Sequence, residues 1–361
     1  MLEALRRGEM PSTEEVRALG ENEPGEFFRG VVEPLCDSFE PAQAAAYDRL
    51  MSAWIEPAMK VAASVPARVE TVYVLSRVTL GADIKVTSLL LDAAKKRFID
   101  ARVVFVGGRK SAELFANDSR VEHLAVEYPR SAPVSERIVF AHELRKRLDT
   151  PNNIVLDPDS RITQLGLVPV CDRERYFHFP SRTSPGSNLV TIAQGWTEQV
   201  LGVVGQPYIA PKFMELEGPS PWAAVSLGVG ENPAKRIEGR FEAALIAQLA
   251  RHYETVWLDR GAGGAEAERV TAAAQGQNVR FWEGSFAGFT SVISQSDLYV
   301  GYDSAGQHAA AAVKTPVISI FAGAPSERFR ERWSPFGYGP CTVIDADTAG
   351  PDEILSRIAI L

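Results

Sequence analysis

The sequence lacks any run of about 18 apolar residues, the length at which a stretch becomes a candidate membrane-spanning helix. Its N-terminal stretch, MLEALRRGEM, is followed by acidic sequence and not by the apolar core of a secretory signal. Both absences argue against membrane insertion and export. We therefore expect a cytoplasmic protein with at most peripheral contact with a membrane.

Cysteine is also scarce. The three cysteines, Cys36, Cys171 and Cys341, are far apart and never form a C-x-x-C pair, so neither a disulfide framework nor a zinc site is indicated. The five histidines are equally scattered, without an H-x-x-x-H pair or an acidic cluster at ligand spacing. We predict reduced, mostly buried thiols, no metal site and no cofactor.

An excess of positive charge is missing as well. The chain has 38 Lys and Arg against 46 Asp and Glu, a formal net charge of -8, and no basic tract stands out. Proteins that bind nucleic acid or an anionic bilayer usually have a positively charged surface. We therefore predict no nucleic-acid partner.

The order of the sequence patterns indicates two similar halves. Residues 1–66 have helical patterning without an evident strand. Short β-branched runs alternate with helical stretches through 67–210, and the alternation resumes through 211–361 after a proline-rich linker at 205–221. With 361 residues and 45% hydrophobic content, the chain can bury two cores. We predict an α/β fold of two doubly wound, Rossmann-like domains with an extra N-terminal helical segment.

The most informative stretch is 296–321, SDLYVGYDSAGQHAAAAVKTPVISIF. An apolar strand runs into a turn of small residues, then a short Ala-rich helix, and Thr-Pro opens a second strand. Asp303 or Ser304 is a plausible N-cap, and the N-terminus of the following helix attracts anions through its N–H groups and dipole.

The residues after this cap leave room for such an anion. Ala305 and Gly306 have almost no side chain, so a phosphate can approach the backbone closely, and His308 in the first turn can donate a hydrogen bond. The alternative is an ordinary capped helix, with Gly306 serving packing and His308 lying at the surface.

This stretch resembles the C-terminal signature of the family-9 glycosyltransferases, the ADP-heptose:lipopolysaccharide heptosyltransferase family. Their pattern is roughly D-x-x-x-G-x-D-S-G-x-x-H-x-A-A-A, followed by a Thr-Pro strand and a Phe-Gly loop. The residues that match are Asp297, Gly301, Asp303, Ser304, His308, Ala310, Ala311, Thr315, Pro316 and Phe321. The usual Gly after Ser is Ala305 here, with a glycine at 306. The resemblance covers roughly 69–337 and implies the GT-B architecture, two Rossmann-like domains facing a cleft.

The resemblance also assigns donor-site residues outside this stretch. Lys235, which follows the first strand of the second half, is similar to the family's Lys that contacts the donor's phosphate and sugar. A diphosphate binds well to a cation together with the N–H groups at a helix N-terminus, so Lys235 and the loop at Asp303 are together suited to bind a diphosphate. Glu266 lies near the position where family members have a Glu for the nucleotide ribose; a solvated helix face is its alternative.

In the first half, residues 78–87, VTLGADIKVT, resemble the family's S-x-x-G-D-x-x-x-T loop, with Ala82 inserted between Gly and Asp. By that match Asp83 would be the general base, taking the proton of an acceptor hydroxyl at about 3 Å. The alternative is that Asp83 only caps the next helix. Lys85 and Arg161 are candidates for acceptor binding, although scattered cationic residues more often cover surface.

The resemblance implies an inverting, metal-independent glycosyltransferase. It would move a sugar, such as a heptose, from a nucleotide-diphosphate donor to the hydroxyl of a glycan or glycolipid in cell-surface glycan synthesis. The predicted domains are 1–66 (extension), 67–210 (acceptor) and 211–361 (donor). Two alternatives remain open: a catalytically silent sugar-nucleotide-binding protein, and a sugar-nucleotide epimerase of related fold.

Overall fold

The computed structural model of the chain describes residues 1–56, 63–230, 232–261, 263–337 and 339–359. Part of the predicted N-terminal extension, 57–62, lies outside these ranges. Two compact units are present. Unit 1 comprises Met1–Ala112, Ser119–Gln206 and Pro325–Arg332, and unit 2 comprises Glu113–Asp118, Pro207–Ala324 and the C-terminal segment from Trp333. The predicted domain boundaries stay a prediction.

Unit 1 is built on a parallel five-stranded sheet. Its strands are β1 (Thr71–Leu75), β2 (Arg102–Gly107), β3 (Val121–Ala125), β4 (Asn153–Asp157) and β5 (Tyr176–His178). The strand order is β3-β2-β1-β4-β5, so the direction of chain progression reverses between β1 and β4. In open α/β sheets ligands bind at such a switch point, outside the carboxyl ends of the strands.

The described helices of unit 1 that precede, connect or follow these strands are α1 (Leu2–Arg6), α2 (Thr13–Asn22), α3 (Pro24–Phe27), α4 (Glu33–Cys36), α5 (Pro41–Met51), α6 (Leu80–Ala82), α7 (Ser88–Arg97), α8 (Arg109–Ala112), α9 (Val134–Leu148) and α10 (Leu189–Leu201). Two π-helical turns, Phe28–Val32 and Asp83–Thr87, interrupt them. Short 3₁₀ turns lie at Arg161–Thr163 and Arg173–Arg175 in unit 1, and at Glu113–Phe115 and Pro233–Lys235 in unit 2.

The N-terminal helices α1–α5 confirm the predicted helical extension. Their apolar faces, including Phe27 and Leu50, form one buried cluster with Val134 at the start of α9 and Leu165 in the segment after β4. Because Val134 and Leu165 both follow strand ends, the extension packs near the carboxyl edge of the unit 1 sheet.

Unit 2 repeats the design with six parallel strands: β6 (Trp222–Ser226), β7 (Thr255–Asp259), β8 (Arg280–Trp282), β9 (Leu298–Tyr302), β10 (Val317–Phe321) and β11 (Cys341–Asp345). Their order is β11-β10-β9-β6-β7-β8, which places the switch point between β6 and β9. The helices of unit 2 are α11 (Phe241–His252), α12 (Gly264–Ala273), α13 (Phe286–Gln295), α14 (Ala305–Val313) and α16 (Pro351–Ala359), whereas α15 (Glu327–Trp333) belongs to unit 1 except for its last residue.

All five residues of β6, β9 and β10 are buried, as expected for central strands covered by helices on both faces. Cys36 and Cys171 are buried free thiols, whereas Cys341 is exposed. Within the described ranges, no helix combines the length and the apolar character that crossing a membrane requires.

Candidate functional site

The loops that follow β6 and β9 flank the switch point of unit 2. Asp303 comes directly after β9, and Lys235 ends the 3₁₀ turn that follows β6. The Lys235 Nζ atom lies 2.5 Å from Asp303 Oδ2, and Asp303 is only 8% exposed. The fold therefore joins two predicted donor-site residues as a partly buried ion pair.

Asp303 is held from its other side by Gln307, which the sequence analysis did not single out. Gln307 Nε2 donates to Asp303 Oδ1 at 2.6 Å, and Ser319 on β10 donates from Oγ to Gln307 Oε1. Gln307 and Ser319 are both fully buried. The signal for Gln307 was available in the sequence, because a polar side chain one helical turn after Asp303 on a buried helix needs a partner.

His308 is buried beside Gln307, so the alternative of a surface histidine is wrong. Its exposure is 5%, and its ring lies 5.9 Å from the ring of Trp333. Its Nε2 atom is 3.4 Å from Gln307 Nε2. Lys235, Asp303, Gln307, His308 and Ser319 thus form one connected group, which we call the donor cluster.

The start of α14 carries hydroxyl groups with unused hydrogen-bonding capacity. Ser304 stands at the N-cap position, but its side chain makes no capping hydrogen bond. Its buried Oγ and the buried Oη of Tyr299 on β9 make no hydrogen bond of ordinary geometry with the described residues, although the two hydroxyls are close enough to interact. Burial raises the pKa of Tyr299, and the neighbouring Ser304 and Ser226 hydroxyls oppose this to a smaller extent. Buried polar atoms are usually paired in proteins, so a small adjustment of these two hydroxyls can satisfy them without a ligand.

Gly306 is required by packing within unit 2. A Cβ atom at this position would lie 2.0 Å from Tyr299 Oη and 2.5 Å from Cζ of the same ring. The packing alternative therefore accounts for Gly306 without a ligand. Ala305, the first residue of α14, is partly exposed and remains a candidate for contact with a phosphate.

Glu266 does not lie on a solvated helix face. It belongs to the first turn of α12, and its Oε2 accepts a hydrogen bond of 3.2 Å from the backbone N–H of Val229. A Cβ atom at Gly261 would lie 1.6 Å from Glu266 Oε1, and one at Gly228 would lie 2.8 Å away. The carboxylate therefore sits between the glycine-containing loops after β6 and β7, at the carboxyl edge of the sheet.

A second carboxylate, which the sequence analysis missed, lies at the same edge. Asp259 ends β7, accepts from Gly261 N at 3.0 Å and lies 3.3 Å from Ser226 Oγ. Burial is the main cause that raises the pKa of Asp259, and the charge of Glu266 adds to it. The two carboxylates offer hydrogen-bond acceptors beside the strand that carries the switch point.

Two further acidic residues, Asp345 and Asp347, have the spacing of a D-x-D motif at the end of β11. The Asp347 carboxylate accepts from the backbone N–H groups of Gly323 at 2.9 Å and Ala324 at 3.3 Å, so it already stabilises the loop after β10. In the described ranges, no three His, Cys, Asp or Glu side chains are grouped to hold a metal ion.

In unit 1, Asp83 lies at the switch point between β1 and β4, but it is enclosed. Its Oδ1 accepts from Arg77 N at 2.7 Å and from Thr87 Oγ1 at 2.8 Å, and its Oδ2 accepts from Ser76 Oγ at 2.6 Å. The side chain is 0% exposed. Burial raises the pKa of Asp83, and these donors together with Ser111 oppose the shift.

Asp83 is not the N-cap of its helix, because Thr79 occupies that position and Asp83 itself has helical backbone angles. Asp83 begins the π-helical turn Asp83–Thr87. A π-turn holds one more residue than an α-turn, so it provides a structural account of the inserted Ala82. The carboxylate instead reaches back to the loop after β1 and fixes its shape.

The two candidates for acceptor contact differ in their surroundings. Lys85 is 2% exposed, in the π-turn after α6. Arg161 follows β4, is partly exposed, and has a buried Nη1 atom without a partner among the described residues. Neither geometry tests acceptor binding.

Arg161 belongs to a group of arginines at the carboxyl edge of the unit 1 sheet. Arg182 lies 2.7 Å from Asp159 Oδ2 and, although burial opposes it, holds the pKa of that carboxyl far below its usual range. Burial, with the nearby charge of Arg182, lowers the pKa of Arg77 to about 10. Asp37 of the N-terminal extension faces Arg77, Arg161 and Arg182 electrostatically.

Comparison with known proteins supports the resemblance stated from the sequence. Residues 214–340 match the family described as glycosyltransferase family 9 (heptosyltransferase). Lipopolysaccharide heptosyltransferase 3 of Escherichia coli is 36% identical over 123 residues, covering 30% of this chain and 36% of that protein. The chain thus matches only a little over a third of the length of this curated relative.

Solved structures match over most of the chain. Heptosyltransferase WaaC of E. coli, determined with ADP, aligns with a TM-score of 0.58 and 18% identity, covering 80% of this chain and 96% of that one. A family-9 glycosyltransferase from Veillonella parvula aligns with a TM-score of 0.60 and 14% identity, covering 82% of this chain and 95% of that one. At such identities the likeness shows the fold. The predicted α/β class with two Rossmann-like sheets and the resemblance to the family-9 glycosyltransferases are confirmed.

Proposed function

We propose that the protein is a glycosyltransferase that binds a nucleotide-diphosphate sugar, such as ADP-heptose, at the switch point of unit 2. The observation that carries the proposal is the Lys235–Asp303 ion pair at 2.5 Å, placed between β6 and β9 inside the region that matches the family. Lys235 keeps 22% of its side chain exposed, so its ammonium can also reach a ligand. With the N-terminus of α14 it offers positive charge to a diphosphate.

The finer parts of the proposal follow from the same residues. Ser304 and Ala305 at the start of α14 would contact phosphate, Glu266 would accept from ribose hydroxyls, and His308 would complete the donor side. The sugar would pass with inversion to the hydroxyl of a glycan or glycolipid, in cytoplasmic synthesis of a cell-surface glycan such as lipopolysaccharide. Since Lys235 and the helix end supply positive charge, turnover should survive chelation by EDTA; loss of activity that magnesium restores would contradict this part.

The test of donor binding is calorimetry with ADP and with ADP-heptose on the wild type, Lys235→Met and Lys212→Met. Lys212 is an exposed lysine in the same unit and serves as the matched control. We expect Lys235→Met to weaken binding by roughly 10- to 100-fold, because a hydrogen bond to a charged group contributes about 1.5–3 kcal/mol. Wild-type protein that binds no nucleotide or nucleotide sugar would refute the proposed function.

A second candidate is a catalytically silent protein that binds the donor. The observation that favours it is the enclosure of Asp83, whose two oxygens accept hydrogen bonds from the protein and have no exposed surface. A general base has to reach the hydroxyl that it deprotonates. The silent reading therefore competes directly with the role that the resemblance implies for Asp83.

Asp83→Asn separates the two candidates. The amide keeps the size of the side chain, and the Ser76 and Thr87 hydroxyls can rotate to donate or accept, so the fold should persist. If Asp83 is the base, turnover falls on the order of 100-fold while donor affinity holds. If wild type and variant hydrolyse or transfer the donor equally, Asp83 is not the base; if neither turns it over, the silent candidate stands.

A further inference from the structure

One side chain of the donor cluster, Gln307, contacts three of the other four members, and Lys235 joins them through Asp303. Gln307 is 0% exposed, and its amide contacts Asp303, Ser319 and His308 at the same time. A primary amide has two N–H donors and one carbonyl acceptor. Each of these three groups has a partner here, so the side chain can take only one orientation.

That orientation is set by Asp303. An ionised carboxylate can only accept hydrogen bonds, so the group that faces Asp303 Oδ1 at 2.6 Å has to be the amide nitrogen of Gln307. The carbonyl oxygen then turns towards Ser319, whose hydroxyl donates to it. Exchanging the two amide atoms would place an oxygen against a carboxylate, which is repulsive.

The second N–H of the same amide faces the imidazole of His308. Gln307 Nε2 lies 3.4 Å from His308 Nε2, and two donors cannot share a hydrogen bond. This contact is a hydrogen bond only when His308 Nε2 is the unprotonated acceptor, which places the proton of the neutral ring on Nδ1. The identity of residue 307 thus decides which nitrogen of His308 can donate.

The same amide restrains the Lys235–Asp303 pair. Lys235 Nζ donates to Asp303 Oδ2 at 2.5 Å, and Gln307 Nε2 donates to Oδ1, so each oxygen of the carboxylate is held by a different donor. Without the amide, the carboxylate can rotate about its side-chain torsions and carry the ammonium with it. Pre-organised contacts bind more tightly because less freedom is lost when the ligand arrives.

We propose that Gln307, supported by Ser319, is the positioning residue of the donor cluster: it aligns Asp303 and Lys235 for a nucleoside diphosphate and fixes His308 as the Nδ1–H tautomer. This proposal rests on the proposed donor site for its binding consequence. Its tautomer consequence is independent of any ligand, because it depends only on the contacts within the folded chain.

The first experiment observes the tautomer without nucleotide. In ¹⁵N-labelled protein at pH 8, the ring nitrogens of His308, assigned by comparison with His308→Gln, should show the Nδ1–H pattern in the wild type. Gln307→Met, which keeps the volume and removes all three polar contacts, should change that pattern. Gln248→Met is the matched control, since Gln248 is also buried in unit 2 but donates to Leu355 O, 3.0 Å away. An Nε2–H tautomer in the wild type, or an unchanged signal in Gln307→Met, overturns the proposal.

The second experiment measures ADP affinity by calorimetry. Gln307→Met should weaken binding about tenfold, and Ser319→Ala should weaken it less, because that variant removes one support of the amide and leaves the contact with Asp303. If Gln307→Met does not fold, Ser319→Ala and its His308 signal decide the matter in its place. Wild-type binding with no loss in either variant refutes the positioning role, whereas absence of wild-type binding refutes the proposed function and leaves the tautomer result to judge Gln307.

Discussion

The two switch points of this protein have the same topology and different chemistry. In unit 1 the carboxylate of Asp83 accepts only from neutral donors and is fully enclosed. In unit 2 the carboxylate of Asp303 is paired with a cation, Lys235, and keeps 8% of its surface exposed. A parallel sheet therefore offers the location for a ligand, but the side chains in the loops decide whether the location is used.

The resemblance to the family is also unequal between the two halves. The match to family 9 covers 214–340, which contains the donor cluster and excludes the Asp83 loop. Unit 1, the acceptor domain of the proposed function, carries the π-turn Asp83–Thr87 and the N-terminal helices. Asp37 of this N-terminal extension faces the arginines that follow β1, β4 and β5. Unit 1 has the doubly wound fold, and its carboxylate is enclosed by hydrogen-bond donors of the chain itself.

The largest expected difference between the switch points is in stability. Asp83→Ala should lower the free energy of unfolding by about 3 kcal/mol, because the Arg77 N–H and several hydroxyls lose their buried acceptor. Asp303→Ala should cost less, about 2 kcal/mol, because Lys235 can turn to water and only the buried Gln307 amide loses an acceptor. It should instead abolish most of the donor affinity, because Lys235 is no longer held in place. Urea unfolding and calorimetry on both variants measure the two effects; equal stability losses would remove the contrast.

A smaller effect on stability is expected from Gly306, the second residue of α14. Gly306→Ala should destabilise the protein by about 2 kcal/mol, because its Cβ would overlap Tyr299 Oη at 2.0 Å. Gly195→Ala in α10, where a Cβ atom meets nothing within 4 Å, should stabilise it by about 0.5–1 kcal/mol. Thermal unfolding of both variants is the measurement. If Gly306→Ala is neutral, packing does not explain this glycine and contact with a ligand becomes the better account.

The smallest effect concerns pH. Because burial raises the pKa of Asp83 above its unfolded value of about 3.9, the native state takes up a proton more readily than the unfolded state. The contribution of this carboxyl to stability should therefore increase as pH falls through the raised pKa, and be least favourable at neutral pH. Unfolding free energies of wild type and Asp83→Asn between pH 4 and 8 test this. The stability of Asp83→Asn relative to the wild type should be greatest at pH 8, where Asp83 is most often ionised. A stability difference that does not change with pH would show that the pKa of Asp83 is unshifted.

Much of the fold could be predicted because its signals are local. Alternating β-branched runs and helical patterns identified both sheets, and the Thr315-Pro316 pair correctly marked the start of β10. The turn at 303–306 could be predicted for the same reason, since small residues after a strand leave a recognisable pattern. The roles of these site residues stay predictions, because no ligand contact tests them.

What the sequence by itself determined is the order of strands, helices and turns, together with the residue types that follow each strand, since these depend on neighbours within a few positions. Only the tertiary structure decided how distant side chains meet. Lys235 and Asp303 are 68 positions apart, and Gln307 in α14 contacts Ser319 on β10. Glu266 packs against Gly228 and Gly261 of two different loops. The enclosure of Asp83 was equally hidden, because burial and hydrogen-bond partners depend on which segments pack together in space.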